Sequence, residues 1–224
     1  MKKYLYILLS GFISGLLIGI GVIVYLSILS GSNNDYLAKI CGALFFGLGL
    51  FAIIAFKTWL YTGKVGNTLS NKPSYLIDLL FCLIGNLCGV VILTSLMKLT
   101  KFNDSLSTQA TILVNGKESQ TWYSMLILSI MCGIMIYIAI KGYEVVDNPF
   151  GKILIVFLAI ATFILCGFEH VVANAGYYTL AGIFTWKSFA YFILMALGNG
   201  LGAISFDGLL RITNNILKSN NKSN

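Results

Sequence analysis

The chain has 224 residues, 58% of them hydrophobic and only 10% charged. Soluble domains carry about a quarter charged residues, so the composition excludes a soluble globular protein and places the chain in a bilayer. The net charge of +7 marks no nucleic-acid surface, because the Lys and Arg residues are scattered at the ends of apolar runs and form no cluster.

Met1-Lys2-Lys3 opens onto the uncharged run Tyr4–Asn34. That run far exceeds the roughly 7–15 residues of a signal core, and no small-residue cleavage site bounds it; it reads as a first transmembrane helix. Further uncharged runs follow at Ile40–Phe56, Leu79–Met97, Ser119–Ile140, Ile153–Phe168, Val171–Trp186 and Ser188–Phe206. A spanning helix needs roughly 20 apolar residues, with about 17 a practical minimum. The pattern predicts six spans, the second and fifth interrupted, in one transmembrane domain over 1–218 with a short polar tail over 219–224. The fold class expected is therefore all-α integral membrane, with short loops and no soluble domain.

Lys2, Lys3, Lys64, Lys72, Lys141, Lys152, Arg211, Lys218 and Lys222 fall on one side of such a bundle. Lys39, Lys98, Lys101, Lys117 and Lys187 fall on the other, and Lys57 lies near a break. The positive-inside rule then puts both termini in the cytoplasm. Cys41, Cys82, Cys88, Cys132 and Cys166 all lie in apolar spans without a CxxC pair, which predicts buried reduced thiols acting as small hydrophobes.

The halves repeat. Gly85-Asn86-Leu87-Cys88-Gly89 matches Gly198-Asn199-Gly200-Leu201-Gly202 at an offset of 113 residues. The same offset lays Leu60-Tyr61-Thr62-Gly63 on Ala173-Asn174-Ala175-Gly176. Three spans per half invert the second half, and inverted repeats place a site near the midplane at discontinuous helices. Backbone freed at such breaks must be buried in protein or line a cavity, so the breaks predict a central pathway. The glycines of spans one, three and six read as close-packing positions, with Asn86 and Asn199 as interhelical hydrogen bonders.

Glu169 and the only histidine, His170, stand side by side between two uncharged runs. Ionisable residues within spans face the bundle interior and mark substrate or proton routes; a histidine also exchanges a proton near neutral pH. Adjacent residues on a helix point apart, so His170 is the pathway candidate. Glu169 is expected to satisfy backbone or a neighbouring helix. Phe163 precedes His170 by two helical turns and shares its face. Lys117, in Asn115-Gly116-Lys117-Glu118-Ser119-Gln120, reads by itself as a solvated loop lysine. The sequence contains no HExxH, no phosphate-binding glycine loop and no Cys/His metal cluster, so no enzyme, metal or cofactor is expected.

Gly167-Phe168-Glu169-His170-Val171-Val172-Ala173-Asn174 resembles the GFEHSxAN signature of the formate/nitrite transporter family. Phe46–Phe56 followed by Leu60-Tyr61-Thr62-Gly63 looks like that family's second span and its "LFTG" loop, and Gly198-Asn199 resembles its span-six "LGN". The likeness runs from span one to Arg211. It implies a pentamer of six-helix protomers, two inverted three-helix repeats each, with an aquaporin-like pore for small monovalent anions in every protomer. By position it makes Phe46, Leu50 and Phe163 hydrophobic constrictions, Thr62 the loop threonine facing His170, and Lys117 the vestibule lysine that gathers anions. Leu60, Glu169, Asn174 and Asn199 would support them.

Three departures bear on substrate more than on fold. Lys57-Thr58-Trp59 stands where the family usually has a glycine and an acidic residue. The stretch from Thr62 to Gly85 is short and polar, which predicts a brief second half-helix, and Gly133 stands where asparagine is common. Formate is the default substrate, with hydrosulfide or nitrite close behind. Two other classes compete: a neutral-solute channel, although the paired Asn-Pro-Ala loops of that class are absent, and a membrane scaffold whose Glu169 and His170 pair internally.

Overall fold

A computed structural model describes residues 1–32 and 35–220. Asn33, Asn34 and 221–224, with Lys222 and the end of the polar tail, lie outside the described residues. The helices are α1 (Lys2–Ser30), α2 (Tyr36–Ala55), α3 (Tyr61–Lys64), α4 (Tyr75–Met97), α5 (Asn103–Glu118), α6 (Trp122–Val145), α7 (Pro149–Leu165), α8 (Val171–Ala181) and α9 (Trp186–Asn220). A 3-10 segment, Val65–Ser70, extends α3. Helices α1, α2, α4, α6 and α9 are long and apolar enough to cross a bilayer. Helix α7 has only 17 residues, and α8 completes its span.

Local sequence explains the ends. Asp35 caps α2 by accepting from the Ala38 amide at 2.6 Å. Asn148 caps α7 through the Gly151 amide at 3.0 Å, with Pro149 in the first turn, where a missing N–H costs nothing. Two expectations change. The polar connection before span four contains a 16-residue helix, α5. Its Leu106, Ala110 and Val114 are buried at four-residue spacing, and that stripe packs on α1 and α8. The last helix also runs well past Phe206, to Asn220.

Connectivity assigns two faces. The N-terminus, the Ser70–Tyr75 turn, the Val145–Pro149 turn and the end of α9 share one face, here the terminal face. The ends of α1 and α4, the start of α6 and the start of α9 share the far face. Apolar side chains such as Leu5, Leu9, Leu80, Ile84, Phe189, Ile193 and Leu197 cover the outside. Ser14, Thr62, Asn86, Glu169, His170, Asn174 and Asn199 are buried. Such an apolar exterior around a polar centre is what a lipid solvent selects.

The two halves are built alike and inverted. Helix α2 ends with Phe56, Lys57 and Thr58 donating to the carbonyls of Ala52, Ile54 and Ile53. Helix α7 ends with Cys166, Gly167 and Phe168 donating to Thr162, Ile164 and Phe163. Both are Schellman endings, turned by a left-handed residue, Lys57 at φ 55° and Gly167 at φ 68°. The breaks thus correspond at an offset of 110, pairing Leu60 with His170 and Trp59 with Glu169. The sequence alignment had set this loop at 113, so that part of the repeat is corrected by three residues, whereas Asn86 and Asn199 keep the offset of 113.

Glycine packing repeats as well. A Cβ on Gly15 or Gly133 would strike the carbonyls of Asn86 and Asn199 respectively, and one on Gly89 or Gly202 those of Phe12 and Ile130. Helices α1 with α4, and α6 with α9, therefore approach to backbone contact. At Gly133 that contact leaves no room for a larger side chain such as asparagine.

The candidate anion pathway

The breaks bring four helix ends to the middle of the bundle, and two asparagines hold them. Asn86 Oδ1 accepts from the Tyr61 amide at 2.8 Å, while its Nδ2 donates to the carbonyls of Gly11 and Trp59, both at 2.8 Å. Asn199 does the same in the second half: Oδ1 accepts from Val171 N at 3.0 Å, and Nδ2 donates to Ser129 O and Glu169 O at 2.8 Å. Each side chain supplies an orphan amide and an orphan carbonyl with a partner where water is scarce. Hydroxyls of α1 pin the first loop, Ser10 accepting from Trp59 N at 3.0 Å and Ser14 donating to Thr58 at 2.8 Å. Nothing in the sequence pattern singled out Ser10 or Ser14.

His170 caps α8. Its Nδ1 accepts from the Ala173 amide at 3.1 Å, and its Nε2 lies 2.9 Å from Thr62 Oγ1. A ring nitrogen that accepts an amide hydrogen carries none itself, so these bonds assign the neutral ring's proton to Nε2. Nε2–H then donates to Thr62 Oγ1, leaving the threonine hydroxyl hydrogen free to turn elsewhere. Both residues are buried.

Glu169 is 1% exposed and points away from the histidine. Its Oε2 accepts from Lys117 Nζ at 2.6 Å and from Asn174 Nδ2 at 2.8 Å, and its Oε1 accepts from Gln120 Nε2 at 2.8 Å. Lys117 is therefore no solvated loop residue. It closes the last turn of α5 with a side chain only 14% exposed, and its ammonium lies 5.8 Å from the Tyr177 ring centroid. Burying a charge is costly unless it is paired and hydrogen-bonded, and four side chains meet that demand here. Gln120 escaped sequence reasoning; its one signal was membership of a polar cluster between apolar runs. Asn174 Oδ1 is buried without a hydrogen-bond partner among the described residues.

Phe46, Leu50 and Phe163 are all buried. The rings of Phe46 and Phe163 meet edge to face with centroids 5.8 Å apart, and Phe163 lies 6.0 Å from the His170 ring. Leu60, counterpart of His170, is also buried. A recess of about 80 Å³ on the far face is lined by Tyr25, Lys117, Phe163, His170, Asn174 and Tyr177. A larger recess, about 580 Å³, lies elsewhere: apolar residues of α4 and α9, such as Leu87, Val91, Phe189 and Phe192, line it on the outer flank.

Among the described residues no group of His, Cys, Asp and Glu has a metal-binding arrangement. The five cysteines are free; Cys82 and Cys132 are buried and Cys41 is half-buried, but Cys88 and Cys166 are exposed. The expectation of buried thiols thus fails for these two, which sit on the protein's outer surface.

Comparison with known proteins agrees with this architecture. A Bacillus subtilis (strain 168) protein named uncharacterized transporter YrhG is 29% identical over 221 residues, covering 91% of this chain and 83% of that one. Formate channel FocB of Escherichia coli (strain K12) is 27% identical over 172 residues, covering 72% of this chain and 61% of its own length. A solved pentameric formate channel with formate bound superposes with a TM-score of 0.84 at 22% identity, covering 96% of this chain and 98% of that chain; it shares the fold of inverted repeats and broken helices. The sequence profile of the formate/nitrite transporters matches residues 2–213, nearly the whole chain, and the protein belongs to that family.

Proposed function

We propose that this protein conducts small monovalent weak-acid anions across the cell membrane, formate first, with nitrite or hydrosulfide close behind. Each protomer of a homopentamer would hold its own pathway, with both termini in the cytoplasm. The observation that carries the reading is the His170–Thr62 contact of 2.9 Å. It joins the two broken spans, with the Phe163 ring 6.0 Å from the histidine ring. Relatives named formate channels, such as FocB, and the fold shared with a formate-bound channel support formate as the first substrate to try.

The chemistry follows from cost. A bare anion loses many kcal/mol of hydration on passing Phe46, Leu50 and Phe163. A proton drawn from water at the mouth, which leaves its hydroxide in the solvent, converts the anion to a neutral acid that crosses the constriction at far lower cost. His170 orients Thr62 by donating from Nε2, and the threonine hydroxyl hydrogen can then face a passing oxygen or sulfur. The Lys117–Glu169 pair, fixed by Gln120 and Asn174, gives the far-face side a positive ammonium without a net buried charge.

The test is uptake of formate, nitrite and hydrosulfide into proteoliposomes at two pH values. Selective flux that rises as pH falls supports the reading. H170F, recovered as intact oligomer, is expected to abolish or sharply alter the pH dependence; unchanged flux removes His170 from the mechanism. Absence of flux for all three solutes from folded protein overturns the anion reading.

A further inference from the structure

The terminal face carries a second recess, about 340 Å³, among whose lining residues are Ile53, Lys57, Leu60, Lys64, Tyr143 and Glu144. It is the repeat counterpart of the far-face recess. Ile53, Lys57, Leu60 and Lys64 correspond at the offset of 110 to Phe163, Gly167, His170 and Asn174, all of which line the other mouth.

The two mouths differ in charge. On the far face the lysine is neutralised by Glu169 at 2.6 Å. At the counterpart of Glu169 stands Trp59, so the terminal-face mouth lacks that carboxylate. Lys57 and Lys64 line it instead, and among the described residues neither has a carboxylate within ion-pair reach. Glu144, the acid in the lining, is held by Lys141 at 2.8 Å. Lys64 Nζ lies 5.3 Å from the Trp59 ring centroid, over an aromatic face in place of an acid.

Lys57 also keeps a left-handed backbone, φ 55°, where the second half uses glycine at φ 68°. A non-glycine residue held there is strained, and such strain persists where the side chain serves a purpose. Two unneutralised ammonium groups between low-dielectric walls focus a positive field and concentrate anions locally.

We propose that Lys57 and Lys64 form an anion-receiving site at the terminal-face mouth, holding a small monovalent anion before it meets the apolar constriction. The site makes the pathway asymmetric: a bare cationic mouth on the terminal face and a neutralised one on the far face. The inference rests on the reading of the protein as an anion pathway, and the test separates the two.

Formate flux is measured from each face, in spheroplasts and in inverted vesicles, with the face assigned by accessibility of a C-terminal tag. K57Q/K64Q is expected to raise the half-saturating formate concentration from the terminal face ~10-fold at low salt, the lower end of what charge focusing gives. Flux from the far face should change far less, and 0.5 M of an impermeant salt should erase the difference. K57R/K64R, which keeps the charges, should hold the terminal-face half-saturating concentration well below that of K57Q/K64Q, a rescue that a general folding defect would not give. Unchanged half-saturation from the terminal face in K57Q/K64Q, with wild type conducting, overturns the proposal.

A second measurement covers the case in which wild type conducts no formate. Iodide quenching of Trp59 fluorescence is followed in a W122F/W186F background. Saturable quenching that is lost in K57Q/K64Q keeps the anion site while the transport reading fails. Linear, lysine-independent quenching overturns the site itself.

Discussion

At the scale of single residues, position in the lipid decides what each polar group must do. Glu169 and Lys117 complete each other, with Gln120 and Asn174 filling the remaining bonds. E169Q leaves the Lys117 ammonium largely buried without a counter-ion, and breaking a buried pair in this way costs about 3 kcal/mol. A marked fall in the thermal midpoint of detergent-solubilised protein is expected, and K117M/E169Q should recover part of it; equal stability of wild type and E169Q would show that the pair contributes nothing. Lys57 predicts the opposite sign. K57G removes a left-handed strain of roughly 1–2 kcal/mol, offset by the extra backbone entropy of glycine, so a net gain of up to about 1 kcal/mol is expected. A protein that becomes more stable while losing a charge at its mouth would show a residue kept for function at the expense of fold. His170 and Glu169 were legible in the sequence as an ionisable pair between apolar runs; the partner of Glu169 was not, because Lys117 lies 52 positions away in a segment that reads as polar loop.

At the scale of elements, the interrupted helices depend on two asparagines. Asn199 makes three hydrogen bonds of 2.8–3.0 Å to the broken backbone of span five and to α6. N199A orphans the Val171 amide and the Glu169 carbonyl, each worth about 1–3 kcal/mol when buried, and moves the N-terminus of α8 that His170 caps. Lower stability together with loss of flux is expected in thermal unfolding and uptake assays. N86A should do the same at the first break, since Asn86 holds the Tyr61 amide and the Trp59 carbonyl. If N199A leaves both readouts unchanged, the asparagines are packing residues only. The repeat was visible because Gly-Asn and its glycines recur, and glycine recurs where helices touch through backbone. The loop offset escaped because Schellman endings are set by carbonyl geometry, which accepts lysine in one half and glycine in the other.

At the scale of the whole molecule, the protomer sets an apolar outside around a buried polar centre. The flank recess between α4 and α9, lined by Leu87, Val91, Phe189 and Phe192, exposes apolar surface on the outside of the protomer. The proposed pentamer predicts a five-chain mass in native mass spectrometry from mild detergent, and a dominant monomer would remove it. Because each protomer encloses its own His170–Thr62 centre, mixing H170F and wild-type chains should reduce pH-dependent flux in proportion to the mutant fraction. A steep loss at low mutant fraction would instead place the route between subunits.

The sequence by itself determined that this chain lives in a bilayer, that its spans repeat in inverted halves with breaks in the second and fifth, and that Glu169 and His170 mark the centre. Those properties follow from composition and spacing: hydration cost sets the length of an apolar run, and the rarity of charges within runs singles out the exceptions. Tertiary structure alone decided which groups meet. Whether Lys117 is solvated or paired, whether Gln120 points to water or to Glu169, and which terminal-face lysines lack a counter-ion depend on side chains brought together from distant positions. Hydrogen bonds and ion pairs act over a few ångströms, and only the packed bundle fixes distances on that scale.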